Sequence, residues 1–197
     1  FLFDHEGTFV PGEYVVGLLA EVFLVKTSGY KNVHDPRIIW STQDVVEKAG
    51  GTPIMSKCGH SHIKQVLRDT NAVYGGEMSA HHYFRDFVYC DSGMIPWLLV
   101  GELLNRRGVT LKALLASYRA AFPSSGEINF KVSDTASVIT KVEATYAPKA
   151  VARDETDGLS LSFDTWRFNL RASNTEPLLR LNVEAKGDPE IVSREVA

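Results

Sequence analysis

The chain has 197 residues, with 21 Lys and Arg against 24 Asp and Glu, a formal net charge of −3 and 44% apolar residues. This composition is typical of globular proteins, and the length allows one or two domains. The sequence has no basic block and no apolar run near the ~20 residues that cross a bilayer, so we expect no nucleic-acid partner and no membrane partner. Two cysteines are too few for a disulfide framework, and no signal peptide opens the chain, so a cytoplasmic protein is expected.

The first ten residues have the pattern of a short β-hairpin. Phe1 to Asp4 alternate like a strand, Glu6-Gly7 forms a turn signal, and Thr8 to Val10 can pair back. Two strands do not form a stable sheet by themselves. Residues 1–10 are therefore interpreted as the remnant of a preceding domain, and the chain as a fragment of a larger protein.

Residues 11–122 predict a domain of the α/β class. Its expected elements are a helix over 12–26, a strand at 32–34, a helix from an N-cap at Ser41 to 49, a strand at 52–56, a helix at 61–68, a strand at 72–74, a helix from an N-cap at Asp91 to 107, and a helix capped by Thr110. Strands alternating with helices predict a parallel sheet with helices on both faces. Ligands of such sheets bind beyond the carboxyl ends of the strands, which here means residues 35–37, 57–60 and 76–82.

Residues 123–197 predict a smaller α+β domain with an antiparallel sheet. Pro123 to Gly126 are interpreted as the linker that precedes it. The expected elements are a strand at 128–132, a helix at 134–146 and strands at 150–153, 159–163, 167–170 and 178–184. The Asp157-Gly158 pair is typical of a tight hairpin.

The stretch Arg171-Ala172-Ser173-Asn174-Thr175 lies between two of these strands. It combines a guanidinium, two hydroxyls, an amide and several loop N–H groups, a set that can surround a phosphate. An Asx or Ser turn with a surface arginine has the same residue types, so the pattern alone leaves both interpretations open. No Walker-type loop is present, which argues against a nucleotide P-loop.

A second candidate site follows the strand at 72–74. Glu77 and Ser79 are two residues apart, so an extended chain places both on one side, where a carboxylate and a hydroxyl can bind vicinal sugar hydroxyls. A solvated or helix-capping Glu77 is the alternative interpretation. Lys57 and His60 follow the preceding strand and are candidates for a phosphate or sugar oxygen.

Four histidines, His60, His62, His81 and His82, invite the interpretation of a metal site. They lack the Cys and His spacing of a tetrahedral zinc site, and adjacent histidines on an extended chain point apart. We therefore expect no metal site among them.

Two longer motifs are similar to those of a known enzyme family. Gly76-Glu77-Met78-Ser79-Ala80-His81 and Arg171-Ala172-Ser173-Asn174-Thr175-Glu176-Pro177 resemble the α-D-phosphohexomutase superfamily, and within it the bacterial phosphomannomutases of GDP-mannose and surface-polysaccharide synthesis. The resemblance extends in order over essentially the whole chain. Members have four domains around one cleft, which implies that residues 1–10 end the second domain, 11–122 form the third and 123–197 the fourth.

The resemblance implies roles for individual residues. It assigns recognition of the sugar to one group of cleft residues: Glu77, Ser79, His81, Arg37, Lys57 and His60. It assigns the grip on the non-reacting phosphate to the fourth-domain loop: Arg171, Ser173, Asn174 and Thr175. Ala80 stands where glycine is common, so the loop is expected to be less free to adopt positive φ. Cys58 stands where threonine is common, which removes a hydroxyl donor.

The resemblance also implies chemistry that this sequence does not contain. It implies phosphoryl transfer from a phosphoserine between mannose 6-phosphate and mannose 1-phosphate, through a sugar 1,6-bisphosphate and with Mg²⁺. The phosphoserine belongs to the first domain, and the magnesium loop is expected just before Phe1. We therefore expect no catalytic residue in the fragment and no activity of the fragment alone. Two alternatives stay open: a phosphoglucomutase or dual-specificity phosphohexomutase, and a stand-alone phosphosugar-binding module.

Overall fold

The structure, a computed structural model, describes residues 1–26, 29–173 and 176–197, which divide into two units. The first unit comprises Phe1–Asp35 and Ile39–Arg119, and the second comprises Pro36–Ile38 and Ala120–Ala197. The second unit is thus built from two separate stretches of chain. None of the helices in the described ranges combines the length and the apolar character that crossing a bilayer requires.

The first unit begins with the predicted hairpin, in which Leu2 pairs with Val10. Its elements in chain order are β1 (Leu2–Phe3), β2 (Phe9–Val10), α1 (Gly12–Lys26), β3 (Lys31–His34), α2 (Trp40–Lys48), β4 (Thr52–Met55), α3 (His60–Thr70), β5 (Tyr74–Gly76), β6 (His82–Phe84), a 3₁₀ turn (Arg85–Phe87), β7 (Cys90–Asp91), α4 (Met94–Arg107) and α5 (Leu111–Ala121). The predicted Ser41 cap is wrong: Ile39 is the N-cap of α2, and the buried Ser41 hydroxyl lies inside the first turn, without a hydrogen-bond partner among the described residues.

The main sheet of the first unit has the strand order β4-β3-β5-β6-β7. β3 pairs in parallel with both β4 and β5, as the alternation of strands and helices predicts. β6 and β7 extend the sheet in antiparallel orientation, so the sheet is mixed rather than wholly parallel. The reason is the short connection from β5 to β6, which cannot hold the crossover that a parallel strand requires.

Helices cover both faces of this sheet. On one face α1 is buried along most of its length, with Leu18 inaccessible, and it packs against α4 and α5. On the other face Ile63 and Leu67 of α3 pack around Val33 of β3. The predicted α/β/α class is confirmed.

The second unit forms an antiparallel sheet with the strand order β8-β12-β11-β10-β9. Its elements in chain order are β8 (Ser124–Lys131), α6 (Thr135–Tyr146), a 3₁₀ turn (Ala147–Lys149), β9 (Ala152–Asp154), β10 (Leu159–Ser162), β11 (Trp166–Ala172), β12 (Leu178–Ala185) and α7 (Pro189–Val196). The α+β class is confirmed, and α7, which the sequence analysis missed, is capped by the Asp188 carboxylate, which accepts from the Glu190 N–H.

The segment predicted to be a linker is largely part of β8. The Ser125 hydroxyl accepts the Val183 N–H at 2.9 Å, and the Gly126 carbonyl accepts the Asn182 side-chain N–H at 2.9 Å. These two bonds join residues 125 and 126 to β12, although their Ser and Gly content favours a turn. The linker prediction for Pro123–Gly126 is therefore wrong.

The two faces of the second sheet differ in polarity. Alternate residues of its strands form an apolar face that packs against α6 and α7: Leu159, Leu161, Phe168, Leu170, Leu179 and Val183. The intervening positions are polar and also buried: Ser160, Arg167, Asn169, Asn182 and Glu184. Because side chains alternate along a strand, the helices cover one face and a buried polar face is left on the other.

Candidate functional site

The loop over residues 77–81 connects β5 to β6 at the carboxyl end of β5. The Glu77 N–H donates to the His81 carbonyl at 2.9 Å, and the Ala80 N–H donates to the Glu77 carbonyl at 3.0 Å. Ala80 adopts φ 67°, so the expectation that alanine limits positive φ here is wrong. The left-handed conformation costs an alanine about 1 kcal/mol, and the two hydrogen bonds offset it.

The Glu77 carboxylate is buried and its position is fixed at both oxygens. Oε1 accepts the Gly59 N–H at the start of α3, and Oε2 accepts the Tyr83 hydroxyl of β6, each at 2.7 Å. Burial, together with the bond to Glu77, raises the pKa of Tyr83 well above its ordinary value, so this hydroxyl remains a donor. The interpretation of Glu77 as a solvated or helix-capping charge is wrong: the carboxylate is buried, and the N-cap of α3 is Gly59, whose N–H donates to it.

Asp35, at the carboxyl end of β3, braces the same loop, because its Oδ2 accepts the Met78 N–H at 2.8 Å. One possible ligand atom each from Asp35, Cys58 and Glu77 lie within 4.8 Å of one another. The carboxyl ends of β3, β4 and β5 thus bring two carboxylates and a thiol together, as the parallel arrangement of these strands predicts.

Asp91 holds His81, the last residue of the loop, and His82, the first residue of β6. Its Oδ2 accepts from His81 Nδ1 at 2.8 Å, and its Oδ1 accepts the His82 N–H at 2.9 Å. Burial raises the pKa of Asp91, but these bonds outweigh it and lower the pKa below the ordinary value. The prediction of Asp91 as a helix cap is wrong: Asp91 lies in β7, and the Ser92 hydroxyl accepts from the first residues of α4.

A cavity of about 440 Å³ opens beside the 77–81 loop and is lined by Gly59, His60, Lys64, Glu77, Ser79, His81, Tyr83 and Asp91. It brings together four of the predicted sugar-site residues, of which Ser79, His81 and His60 are exposed and Glu77 is buried. Lys57 is exposed on the loop before α3 and does not line this cavity. Lys64 is not among the predicted site residues, although its position four residues after His60 on one helix places both on the same face.

In the second unit, the predicted phosphate residues lie at the end of β11. Arg171 and Ser173 are half-buried, and the Ser173 N–H donates to the Leu178 carbonyl at 2.8 Å. Asn174 and Thr175 lie outside the described residues. The Arg171 Nη2 lies 3.2 Å from Oε2 of Glu127 on β8, a carboxylate that the sequence analysis did not single out.

Arg37, predicted to bind substrate, belongs to the second unit and is buried. Its backbone is held by the Arg167 guanidinium, which donates to the Pro36 and Arg37 carbonyls at 3.0 Å each. The same guanidinium lies 2.7 Å from a Glu184 oxygen that is fully buried. Arg167 therefore fixes the segment that carries Arg37 onto the polar face of the sheet.

Two family models match the chain in succession. The domain described as phosphoglucomutase/phosphomannomutase, alpha/beta/alpha domain III matches residues 11–121, and the phosphoglucomutase/phosphomannomutase C-terminal domain matches residues 127–197. The chain belongs to the phosphoglucomutase/phosphomannomutase family. The expected resemblance to the phosphohexomutases is thereby confirmed, and the matched domains are the C-terminal ones.

Several members of this family are close relatives. The phosphomannomutase of Salmonella typhimurium is 61% identical over 95% of this chain and 41% of that enzyme. The phosphomannomutase of Vibrio cholerae is 55% identical over 100% of this chain and 42% of that enzyme. The chain spans about two fifths of the length of the relatives it matches.

Solved structures of the family have the same fold. A phosphoglucomutase/phosphomannomutase family protein from Burkholderia thailandensis superimposes with a TM-score of 0.80 at 29% identity, over 96% of this chain and 40% of that one. An N-acetylphosphoglucosamine mutase from Aspergillus fumigatus gives a TM-score of 0.64 at 16% identity, over 98% of this chain and 43% of that one. The second likeness is one of fold alone.

Proposed function

We propose that this chain is the substrate-orienting part of a phosphomannomutase that interconverts mannose 6-phosphate and mannose 1-phosphate. The observation that carries the proposal is the cavity beside Glu77, where a fixed carboxylate, a serine hydroxyl and an imidazole line one accessible volume. Sugar hydroxyls both donate and accept, so they are matched by this combination of groups. The names of the Salmonella and Vibrio relatives support mannose as the sugar.

The proposed roles follow from the hydrogen bonds of each side chain. Each Glu77 oxygen accepts one bond from the protein, which leaves lone pairs for two sugar hydroxyls. Because a carboxylate only accepts, His81 donates its Nδ1–H to Asp91, and Nε2 is left to meet the substrate. The exposed Ser79 can donate to or accept from a neighbouring hydroxyl.

Arg171 and Ser173 are proposed to hold the phosphate that is not transferred. A guanidinium can donate two parallel hydrogen bonds to phosphate oxygens, which gives both charge and orientation. These residues lie on a different unit from the sugar cavity. Recognition of the sugar and of its phosphate can therefore be tested separately.

We propose that the phosphoserine and the Mg²⁺ site of the reaction lie outside these 197 residues, and that the turnover involves a sugar 1,6-bisphosphate. The group of Asp35, Cys58 and Glu77 does not fit Mg²⁺, which prefers six oxygen ligands and not a soft thiol. The carboxylates of this group already accept hydrogen bonds from the protein. The chain by itself is expected to bind and orient hexose phosphates without transferring phosphate, and mutase turnover by the purified chain would refute this.

Binding is tested by titrating the ¹⁵N-labelled chain with mannose 1-phosphate and following amide shifts by NMR. The proposal expects shifts at Glu77 to Ser79 and at Arg171 to Ser173. A Ser79→Ala variant should lose the first set and keep the second, whereas mannose without phosphate should leave the second set unmoved. If mannose 1-phosphate shifts neither set in the unsubstituted chain, the proposal is wrong.

A phosphohexomutase of broader specificity is the second candidate. It is favoured by a relative from Xanthomonas campestris, named as phosphohexose mutases, that is 56% identical over 98% of this chain and 43% of that enzyme. Mannose and glucose phosphates differ at the C2 hydroxyl, and a carboxylate next to a hydroxyl can bind groups that the two sugars share. Parallel titrations with mannose 1-phosphate and glucose 1-phosphate separate the candidates, because equal affinities indicate the broader enzyme.

A further inference from the structure

Three arginines converge on the single carboxylate of Glu127 in the second unit. Arg171 Nη2 lies 3.2 Å and Arg37 Nη1 lies 3.4 Å from Oε2, while Arg180 Nη1 lies 3.4 Å from Oε1. These distances exceed the ~2.8 Å of a tight ion pair, because one carboxylate is shared by three guanidinium groups. Glu127 is therefore the common centre of an arginine cluster and not the partner of one arginine.

The sheet register makes this cluster unfavourable without a carboxylate. Arg171 on β11 is directly opposite Arg180 on β12. Like charges at opposed positions of neighbouring strands destabilise a sheet. Glu127 pairs with Asn182, two residues along β12 from Arg180, and so occupies the diagonal position from which it can reach both arginines.

The cluster also keeps donors that Glu127 does not use. The exposed Glu176 is a second carboxylate near Arg180, at 3.8 Å. The Nε atoms of Arg171 and Arg180 are buried and have no hydrogen-bond partner among the described residues. Glu127 thus holds the arginines together without using all the donors of Arg171 and Arg180.

We propose that Glu127 is a positioning residue of the phosphate site: its carboxylate holds Arg37, Arg171 and Arg180 in one array that receives the phosphate. The inference rests on the proposed function, in which Arg171 binds the non-reacting phosphate. The expected effect of removing Glu127 on phosphate affinity is opposite in sign to the effect expected from charge alone. Charge alone says that removing Glu127 strengthens phosphate binding, whereas the positioning role says that removing it weakens binding.

The test is a titration of the 197-residue chain and its variants with inorganic phosphate, followed by the amide shift of Ser173. Glu127→Gln is expected to weaken phosphate binding about tenfold, equivalent to about 1.4 kcal/mol, because misplaced donors lose alignment with the oxygens. Glu127→Asp, which retains the charge, should recover part of the affinity. The matched control is Glu176→Gln, which removes a negative charge beside Arg180 without touching the shared contact and should leave affinity equal or increased.

A second measurement tests how well the arginine side chains are ordered in the absence of ligand. The Nε–H signals of Arg171 and Arg180 in ¹⁵N spectra are expected to be sharp in the unsubstituted chain and in Glu127→Asp, and broadened in Glu127→Gln. Unchanged signals, or phosphate affinity in Glu127→Gln equal to or above that of the unsubstituted chain, overturn the positioning role alone. Failure of the unsubstituted chain to bind phosphate overturns the phosphate part of the proposed function, and the role of Glu127 with it.

Discussion

Lowering the pH should destabilise the first unit through one buried histidine. His82 on β6 is 4% exposed, and its Nδ1 lies 2.8 Å from the Tyr74 hydroxyl. Burial lowers the pKa of His82 from 6.5 to about 4. The folded protein therefore keeps this ring neutral at pH values where the unfolded chain is already protonated.

The sign and size of the effect follow from proton linkage. Between pH 6.5 and about 4 the unfolded state binds a proton that the folded state does not, so the free energy of unfolding falls as the pH falls through this window. Each tenfold displacement of an ionisation equilibrium corresponds to about 1.4 kcal/mol, so the full contribution of His82 is about 3 kcal/mol. Of this, about 2 kcal/mol is lost between pH 7 and pH 5.

The assay is urea denaturation followed by circular dichroism at pH 7 and pH 5, on the unsubstituted chain and on His82→Gln. Glutamine does not titrate and retains a polar group beside Tyr74, so the variant should lose about 2 kcal/mol less stability between the two pH values. His62→Gln, at an exposed position on α3, is the control and should match the unsubstituted chain. If His82→Gln has the same pH dependence as the unsubstituted chain, burial of His82 does not set its ionisation and the reasoning is refuted.

Three further variants test the contacts around the two sites, each by urea denaturation at neutral pH. Tyr83→Phe should lower the free energy of unfolding by about 2 kcal/mol because it leaves a buried Glu77 oxygen without its donor, and an unchanged value would contradict that bond. Arg167→Met should cost about 3–5 kcal/mol because the buried Glu184 carboxylate loses the guanidinium that pairs with it, and a loss under 1 kcal/mol would contradict the pairing. Gly12→Ala would place a methyl group against the Met78 carbonyl oxygen, so a loss of about 1–3 kcal/mol is expected, together with weaker binding of mannose 1-phosphate.

Much of the fold follows from local sequence patterns. The buried helix over residues 12–26 and the strands of β3 to β5 are predicted because their hydrophobic runs end at Gly, Pro or Asp. Two of the segments that were predicted wrongly, 90–91 and 123–126, have weak local signals, and their structure comes from pairing with strands elsewhere in the chain. Intrinsic strand preference is too small to override such tertiary pairing.

The candidate sites also contain residues that the sequence predicts and residues that only the structure shows. Glu77 and Arg171 are predictable because each belongs to a loop that follows a strand and because the motifs around them resemble a known family. Asp91 and Glu127 are not, because a carboxylate in a strand has no distinctive neighbours in sequence, and its partners are supplied by other strands. The sequence around Tyr83 is typical of a packing residue, and only the structure shows that its hydroxyl donates to Glu77.

The position of Pro36–Ile38 in the chain determines where an expressed piece that contains the second unit has to begin. These residues lie more than 80 positions before the rest of the second unit, yet they supply both carbonyl oxygens that Arg167 binds. An expressed piece that starts at residue 120 would carry Arg167 and Glu184 but would leave two guanidinium donors without acceptors. A piece that preserves the second unit therefore has to begin at or before Pro36, well upstream of the matched C-terminal domain at residues 127–197.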